Sequence, residues 1–236
     1  MQANNGGGDD YNEIEGLIET AEENGDVDKL LSILDTCCSK HIRDRNNTKN
    51  DRSSNNNNNN NKTGEHEWST DDNDNDDDHD AIIEATLDAY YRLTKALSST
   101  GRGILIDDSN TNAIQMLVRC LRGFKKHEAI VEVGLGCIIN TCYLSPISKD
   151  DIDLSREAAI FLVDIMKLYP LLNEICIQKQ LCLAIVALST ADKVFQESFI
   201  REGGKKELIK QFHHQNDNER NKSHIIQAAE ALGIRL

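Results

Sequence analysis

The stretch FIREGGKKELIKQF, Phe199 to Phe212, joins two helical patterns through a pair of glycines. Phe199 and Ile200 end the first pattern. The second pattern opens with apolar residues at helical spacing, namely Leu208, Ile209 and Phe212. Gly203 and Gly204 permit the tight, left-handed backbone that a side chain with a Cβ resists. Such a pair has two common uses, a phosphate-binding loop or a corner between packed helices.

The spacing of the glycines argues against a phosphate-binding loop. The two candidate loops are GRG at 101–103 and EGGKK at 202–206. Neither has the Gly-x4-Gly-Lys-Ser/Thr spacing of a P-loop, and no strand pattern precedes either of them. The sequence therefore predicts a helix corner.

An internal period supports the helix corner. The helices that begin a unit are anchored by Leu117, Leu162 and Leu208, which lie 45 and 46 residues apart. The helices that close a unit contain Leu97, Leu144 and Leu188, which lie 47 and 44 residues apart. Two independent sets of leucines share one period, which is the pattern expected of stacked helical repeats.

Helical periodicity extends along most of the chain, and no series of strands is visible. Only two prolines and 5% aromatic residues also favour helices over a turn-rich β sandwich. We therefore predict an all-α protein with helices at 13–24, 27–38, 81–97, 113–124, 128–144, 154–168, 174–188, 192–202, 205–213 and 223–236.

A polar segment interrupts this pattern between residues 42 and 80. It contains seven consecutive asparagines and an acidic run, DDNDNDDDHD, at 71–80. Such a composition buries too little apolar area to offset the entropy of ordering, so we predict disorder for 42–80 and for the N-terminal residues 1–10. The period places this segment inside the first repeat, which predicts that helix 27–38 packs against helix 81–97.

Residues 189–212, STADKVFQESFIREGGKKELIKQF, follow the long apolar helix ICIQKQLCLAIVAL at 175–188, and together they resemble an armadillo repeat. The resemblance covers residues 11–236 as about four units, and related HEAT-type repeats remain an alternative for the earlier ones. It implies a right-handed α-solenoid whose third helices line a groove for a partner protein or peptide. The Trp and Asn positions of the peptide-carrying members fall here on other residues, so transport of nuclear-localisation signals is not expected.

The groove that the resemblance implies would display polar and aromatic residues of the third helices. Tyrosine and arginine are common among the few residues that dominate an interface. The residues that we predict to bind a partner are Tyr90, Tyr91, Arg92, Asn140, Lys179, Gln180 and Glu230.

The negative charge is concentrated in the first part of the chain. Residues 1–100 hold 23 acidic and 9 basic side chains, whereas residues 101–236 hold 17 of each, for a total of −14. This balance makes nucleic acid an improbable partner. No signal peptide or membrane span is visible, and seven cysteines fit a reducing compartment, so we expect a cytoplasmic or nuclear protein without a membrane partner.

Candidate chemistry outside the groove is weak. Cys37, Cys38 and His41, with His66 or His79, lack the paired Cys-x-x-Cys spacing of a zinc site, and the acidic run lacks the Gly and Glu of a calcium loop. We therefore expect no metal and no cofactor. The remaining cysteines lie on apolar helix faces and are predicted to be core residues: Cys120, Cys137, Cys142, Cys176 and Cys182.

These features predict a non-catalytic scaffold or adaptor that binds a partner protein or peptide in the groove. An alternative is that the acidic residues of 65–80 capture basic partners, such as histone-like or ribosomal segments. The sequence also allows self-association through the C-terminal helix, where Ile225, Ile226 and Leu232 lie.

Overall fold

The computed structural model describes residues 7–55, 74–99, 111–144, 151–170, 175–214 and 219–236. All regular elements in these ranges are α-helices, and no strand occurs in them. The predicted all-α class is therefore confirmed for this part of the chain. The chain divides into two compact units, residues 1–86 and 87–236, whose boundary lies within one helix.

The first unit contains α1 (Gly7–Asn24), α2 (Val27–Asn55) and the first part of α3 (Asp74–Ser99). Gly25 ends α1 with a φ of 68°, and the Asp26 amide donates to the carbonyl of Ala21 at 2.8 Å. Asp26 then caps α2, since its Oδ1 accepts from the Lys29 amide at 2.9 Å. The break and the cap separate α1 from α2 where the predicted helices 13–24 and 27–38 meet, and α1 packs against α2.

The helices reach further into the polar segment than the prediction of disorder for 42–80 allowed. α2 continues to Asn55 and α3 begins at Asp74, and α1 likewise begins within the N-terminal segment 1–10. Extending an existing helix adds one hydrogen bond per residue, and 39–55 contains no Gly or Pro to stop it. Aspartates also favour the N-terminal end of α3. Residues 1–6 and 56–73 lie outside the described residues.

The second unit contains the rest of α3 from Leu87 and seven further helices. Their bounds agree with the predicted helices to within a few residues, except at the end of the chain. They are α4 (Thr111–Gly123), α5 (Glu128–Leu144), α6 (Ile152–Leu168), α7 (Ile175–Ala191), α8 (Lys193–Arg201), α9 (Gly204–His214) and α10 (Glu219–Ala231).

In the second unit, helices that start roughly 40 to 50 residues apart along the chain pack against each other. α7 packs against both α5 and α10, and α6 packs against both α4 and α9. The three leucines that anchor the period at the start of each unit, Leu117, Leu162 and Leu208, are fully buried. All three leucines therefore belong to the core of the second unit.

The short helix α8 makes the corner that the opening stretch predicts. Asp192 caps its N-terminus, because Oδ1 accepts from the Val194 amide at 2.8 Å and Oδ2 accepts from the Ser155 hydroxyl of α6. Gly203 follows α8 with a φ of 94°, a conformation that favours glycine. Gly204 begins α9 for another reason: a Cβ there would stand 2.2 Å from the ring of Phe199.

The predicted extent of the last helix, 223–236, is wrong at its C-terminal end. α10 ends at Ala231, because Gly233 has a φ of 66° and the Ile234 amide donates to the carbonyl of Ala229 at 2.8 Å. This is the six-to-one bond of a Schellman C-cap, and it turns Ile234 back into the core.

Candidate partner-binding surface

Tyr90 is part of the interface between α3 and α5 and is only 1% exposed. Its hydroxyl lies 2.9 Å from Oγ1 of Thr141, and Thr141 also donates to the carbonyl of Cys137 at 2.8 Å. A buried tyrosine hydroxyl needs such a partner, so the pair stabilises the contact between the two helices. Tyr90 is therefore a structural residue here, which corrects its prediction as a partner-binding residue.

Asn140 of α5 is half-buried and serves the same interface with one end of its amide. Its Nδ2 donates to the carbonyl of Tyr91 at 3.4 Å and to Oγ1 of Thr94 at 3.3 Å. Thr94 in turn donates to the carbonyl of Tyr90 at 2.8 Å. The Oδ1 of Asn140 makes no hydrogen bond within the described residues, so it is an acceptor that an incoming chain can use.

Tyr91 is half-buried and lies across α5, where Gly136 makes room for its ring. A Cβ at position 136 would stand 2.8 Å from Cε2 of Tyr91. The Lys95 ammonium lies 5.4 Å from the centroid of the same ring, within the range of a cation–π contact. The sequence pattern identified Tyr91 but missed Gly136 and Lys95. Gly136 lies one helical turn before Asn140 and Lys95 lies one turn after Tyr91, and this spacing was the signal that could have found them.

Arg92 is exposed, and its Nε lies 3.6 Å from Oδ2 of Asp88 one turn earlier in α3. Because both side chains are about half exposed, this ion pair contributes little to stability. The guanidinium stays accessible to a carboxylate of another chain.

The other predicted residues lie on α7 and α10. Lys179 and Glu230 are exposed and Gln180 is half-buried. The sequence pattern missed their neighbour Gln178, which is 2% exposed and whose Nε2 and Oε1 have no hydrogen-bond partner in the described part of the chain. A buried amide without partners costs free energy of folding, so α7 carries a local polar penalty beside the predicted surface.

Tyr143, near the C-terminal end of α5, is a large exposed side chain that sequence reasoning overlooked. It is 66% exposed and lies one turn after Asn140. Tyr91 of α3 and Asn140 and Tyr143 of α5 thus provide two aromatic rings and an amide acceptor on these two helices.

Four buried thiols, those of Cys37, Cys137, Cys142 and Cys182, are poorly suited to nucleophilic or metal-binding roles. Burial raises the pKa of Cys142 and of Cys182 to about 12 and, with the nearby Cys38, that of Cys37 to about 11. Burial also raises the pKa of Cys137 well above its ordinary value. All four thiols are therefore protonated at neutral pH. Cys120 is buried as predicted, whereas the prediction that Cys176 belongs to the core is wrong, because its side chain is exposed in the first turn of α7.

Neither a metal-binding cluster nor a membrane-spanning helix occurs among the described residues. No group of three or more His, Cys, Asp or Glu side chains gathers there in a way that could hold a metal ion. The side chains of His41, His66 and His79 lie outside the described set. None of the described helices combines the length and the apolar character needed to cross a bilayer.

The self-association predicted for the C-terminal helix rests on fewer apolar side chains than expected. Ile225 and Leu232 are buried within the second unit, whereas Ile226 is partly exposed.

No family model, no curated protein and no solved structure matches the chain. The resemblance to armadillo repeats therefore stays a prediction made from the sequence.

Proposed function

We propose that residues 87–236 form an armadillo-type α-solenoid that binds a partner protein or peptide along α3, α5, α7 and α10, without catalysis. The observation that carries this proposal is the serial packing of equivalent helices, with α7 between α5 and α10 and α6 between α4 and α9. Helices that bury their apolar faces only against the next pair produce an extended row, and such rows are binding surfaces in repeat proteins.

Hydrogen bonds between neighbouring units support the same arrangement. The Tyr169 hydroxyl donates to the carbonyl of Lys125, 44 residues earlier, at 3.0 Å. Nε2 of Gln211 donates to the carbonyl of Met166, 45 residues earlier, at 3.2 Å. Both hydrogen bonds have the spacing of the sequence period, and they lie about one helical turn apart relative to the anchoring leucines.

The chemistry of the row suits an extended peptide. Tyr143 offers an exposed aromatic ring, Asn140 offers a free Oδ1 acceptor for a backbone N–H, and Arg92 and Lys179 offer accessible cations. Tyrosine and arginine are enriched among the residues that dominate binding energy: tyrosine buries a large area with few rotatable bonds, and arginine offers a planar set of hydrogen-bond donors.

Site-specific photo-crosslinking tests this proposal. A benzophenone amino acid is placed at Tyr143 on the row, and at Lys193, an exposed residue of α8, as the matched control. We expect Tyr143 to give one crosslinked partner that is absent with Lys193. Equal labelling from both positions, or labelling from Lys193 alone, contradicts a site on the row.

The alternative function is capture of basic partners by residues 65–80. Removing the negative charge of this segment distinguishes it from binding along the helices. Replacing the aspartates of 71–78 with asparagine removes six negative charges with little change in side-chain size. Asp80 is left intact because it is buried. The groove proposal expects the Tyr143 crosslink to survive this change, whereas loss of a salt-sensitive complex identifies the acidic tract as the site.

A further inference from the structure

The C-terminal ends of α4, α6 and α9 meet at one edge of the second unit. Tyr169, just after α6, bonds the carbonyl of Lys125, just after α4. Gln211, near the end of α9, bonds the carbonyl of Met166 near the end of α6. These two hydrogen bonds place three helix ends, distant in sequence, next to one another.

This edge is positively charged although the chain as a whole has a net charge of −14. Residues 109–127 contain no carboxylate side chain, and Arg122, Lys125 and Lys126 are exposed without an ion pair among the described residues. Lys167 of α6 and Lys210 of α9 continue the charge, and each is about half exposed beside one carboxylate. We call Arg122, Lys125, Lys126, Lys167 and Lys210 the basic edge.

A small cleft lies between α6 and α9, at the part of the basic edge formed by Lys167 and Lys210. Its walls include the apolar parts of Met166 and Pro170, with Lys167, Lys210, Gln211 and His214 around them, and its volume is about 100 Å³. An apolar cavity of about 150 Å³ accepts a molecule as large as benzene. The cleft is therefore suited to one aliphatic side chain rather than to a cofactor, whose sites occupy about 300–1,000 Å³.

We propose that the basic edge and its cleft bind an acidic peptide segment of a partner, with one aliphatic side chain in the cleft. Carboxylates on either side of that side chain pair with the five cations. Gln211 uses Nε2 for Met166, and its Oε1 makes no hydrogen bond in the described structure, so it can accept from a peptide N–H. A phosphodiester backbone has no N–H group for Oε1 of Gln211 and no aliphatic side chain for the cleft, so a peptide fits the site better.

Fluorescence anisotropy with the full chain tests the proposal. The probe is a fluorescein-labelled heptapeptide of alternating glutamate and aspartate with leucine at its centre, compared with the same peptide carrying serine at the centre. We expect the leucine peptide to bind about tenfold more tightly, because only leucine gains from burial in the cleft. Equal affinity of the two peptides overturns the role of the cleft.

Two sets of variants locate the site. The double variant Lys125→Glu and Lys126→Glu should weaken binding of both peptides at least fivefold, whereas the control double variant Lys193→Glu and Lys205→Glu, with the same change of charge on exposed lysines of α8 and α9, should weaken it less than twofold. His214→Trp, which narrows the cleft at an exposed residue, should abolish the preference for leucine. Far-UV circular dichroism confirms that each variant is folded. Equal losses in the two double variants overturn the site.

Other anionic macromolecules are outcomes of the same assay. A labelled single-stranded RNA and vesicles containing phosphatidylserine are titrated alongside the peptides. We expect both to bind more weakly than the leucine peptide and to show no sensitivity to His214→Trp. Tighter binding of either one, lost in Lys125→Glu with Lys126→Glu, overturns the assignment of a peptide.

Discussion

Alanine at Gly203 should destabilise the second unit through backbone strain alone. The φ of this residue is 94°, and apart from its chain neighbours no atom of the described residues lies within 4 Å of the place where a Cβ would stand. An L-residue in a left-handed conformation costs about 1–2 kcal/mol. Replacing glycine also restricts the unfolded chain, which returns about 0.4–1 kcal/mol. The expected net loss of unfolding free energy is therefore about 1 kcal/mol.

Alanine at Gly204 should destabilise the same corner through a steric clash. The added Cβ would stand 2.2 Å from Cε1 of Phe199, a fully buried ring that stacks on Phe195 with centroids 5.7 Å apart. Overpacking of this kind costs about 1–3 kcal/mol, whereas alanine gains up to about 1 kcal/mol over glycine within a helix. The clash exceeds the gain because both rings are held on all sides.

Urea unfolding followed by circular dichroism separates the two causes. Both alanine substitutions are made again in a Phe199→Leu background, which removes the ring. We expect the cost of Gly204→Ala to fall by about 1 kcal/mol or more, since residues in contact are coupled, and the cost of Gly203→Ala to stay within about 0.5 kcal/mol. An equal cost of Gly204→Ala in both backgrounds, or no cost of Gly203→Ala, refutes this account of the corner.

Four further predictions concern burial, capping and the thiols. Leu188→Asp should unfold the second unit, because Leu188 is fully buried and an unpaired buried charge costs about 3–5 kcal/mol, whereas Leu183→Asp should cost less because Leu183 is half-buried; thermal melts compare the two. Asp192→Ala should lower the unfolding free energy by about 1–2 kcal/mol through loss of the α8 cap, and the exposed Asp153→Ala should leave it nearly unchanged in the same urea assay. A thiol reagent should label Cys176 rapidly in the folded chain. The buried thiols should not affect stability below pH about 9. Stability should fall as the pH rises from there toward about 11–12, because the unfolded chain loses thiol protons that the folded chain retains. A stability that rises over this range contradicts the burial of Cys37, Cys142 and Cys182.

Helix boundaries marked by local chemistry could be predicted from the sequence. Gly25 ends α1, Asp26 caps α2 and Gly203 turns the corner after α8, and each acts through its own backbone or side chain. The C-terminal end of α10 was missed because Gly233 was included in an apolar helical pattern, although it marks the C-cap.

Contacts between helices could be predicted only in part. Tyr90 and Tyr91 are adjacent and equally suited to a surface, but a rotation of about 100° per residue buries the first and leaves the second across Gly136. Periodicity within α3 does not specify which side meets α5, since that depends on the small residue that α5 presents. Similarly, the clustering of Lys125, Lys167 and Lys210 arises from tertiary contacts that no local pattern encodes.

The most direct test of the account is whether residues one period apart are neighbours. An isotope-edited NOESY spectrum of the full chain should show contacts from the side-chain amide protons of Gln211 to protons of Met166 and Lys167, since Nε2 of Gln211 lies 3.2 Å from the Met166 carbonyl oxygen. It should also show contacts between the ring of Tyr169 and protons of Lys125 and Lys126, since the Tyr169 hydroxyl lies 3.0 Å from the Lys125 carbonyl oxygen. Absence of both sets of contacts in an assigned spectrum contradicts the serial packing of helices about 45 residues apart. So does a pattern of backbone contacts typical of paired β-strands in these segments.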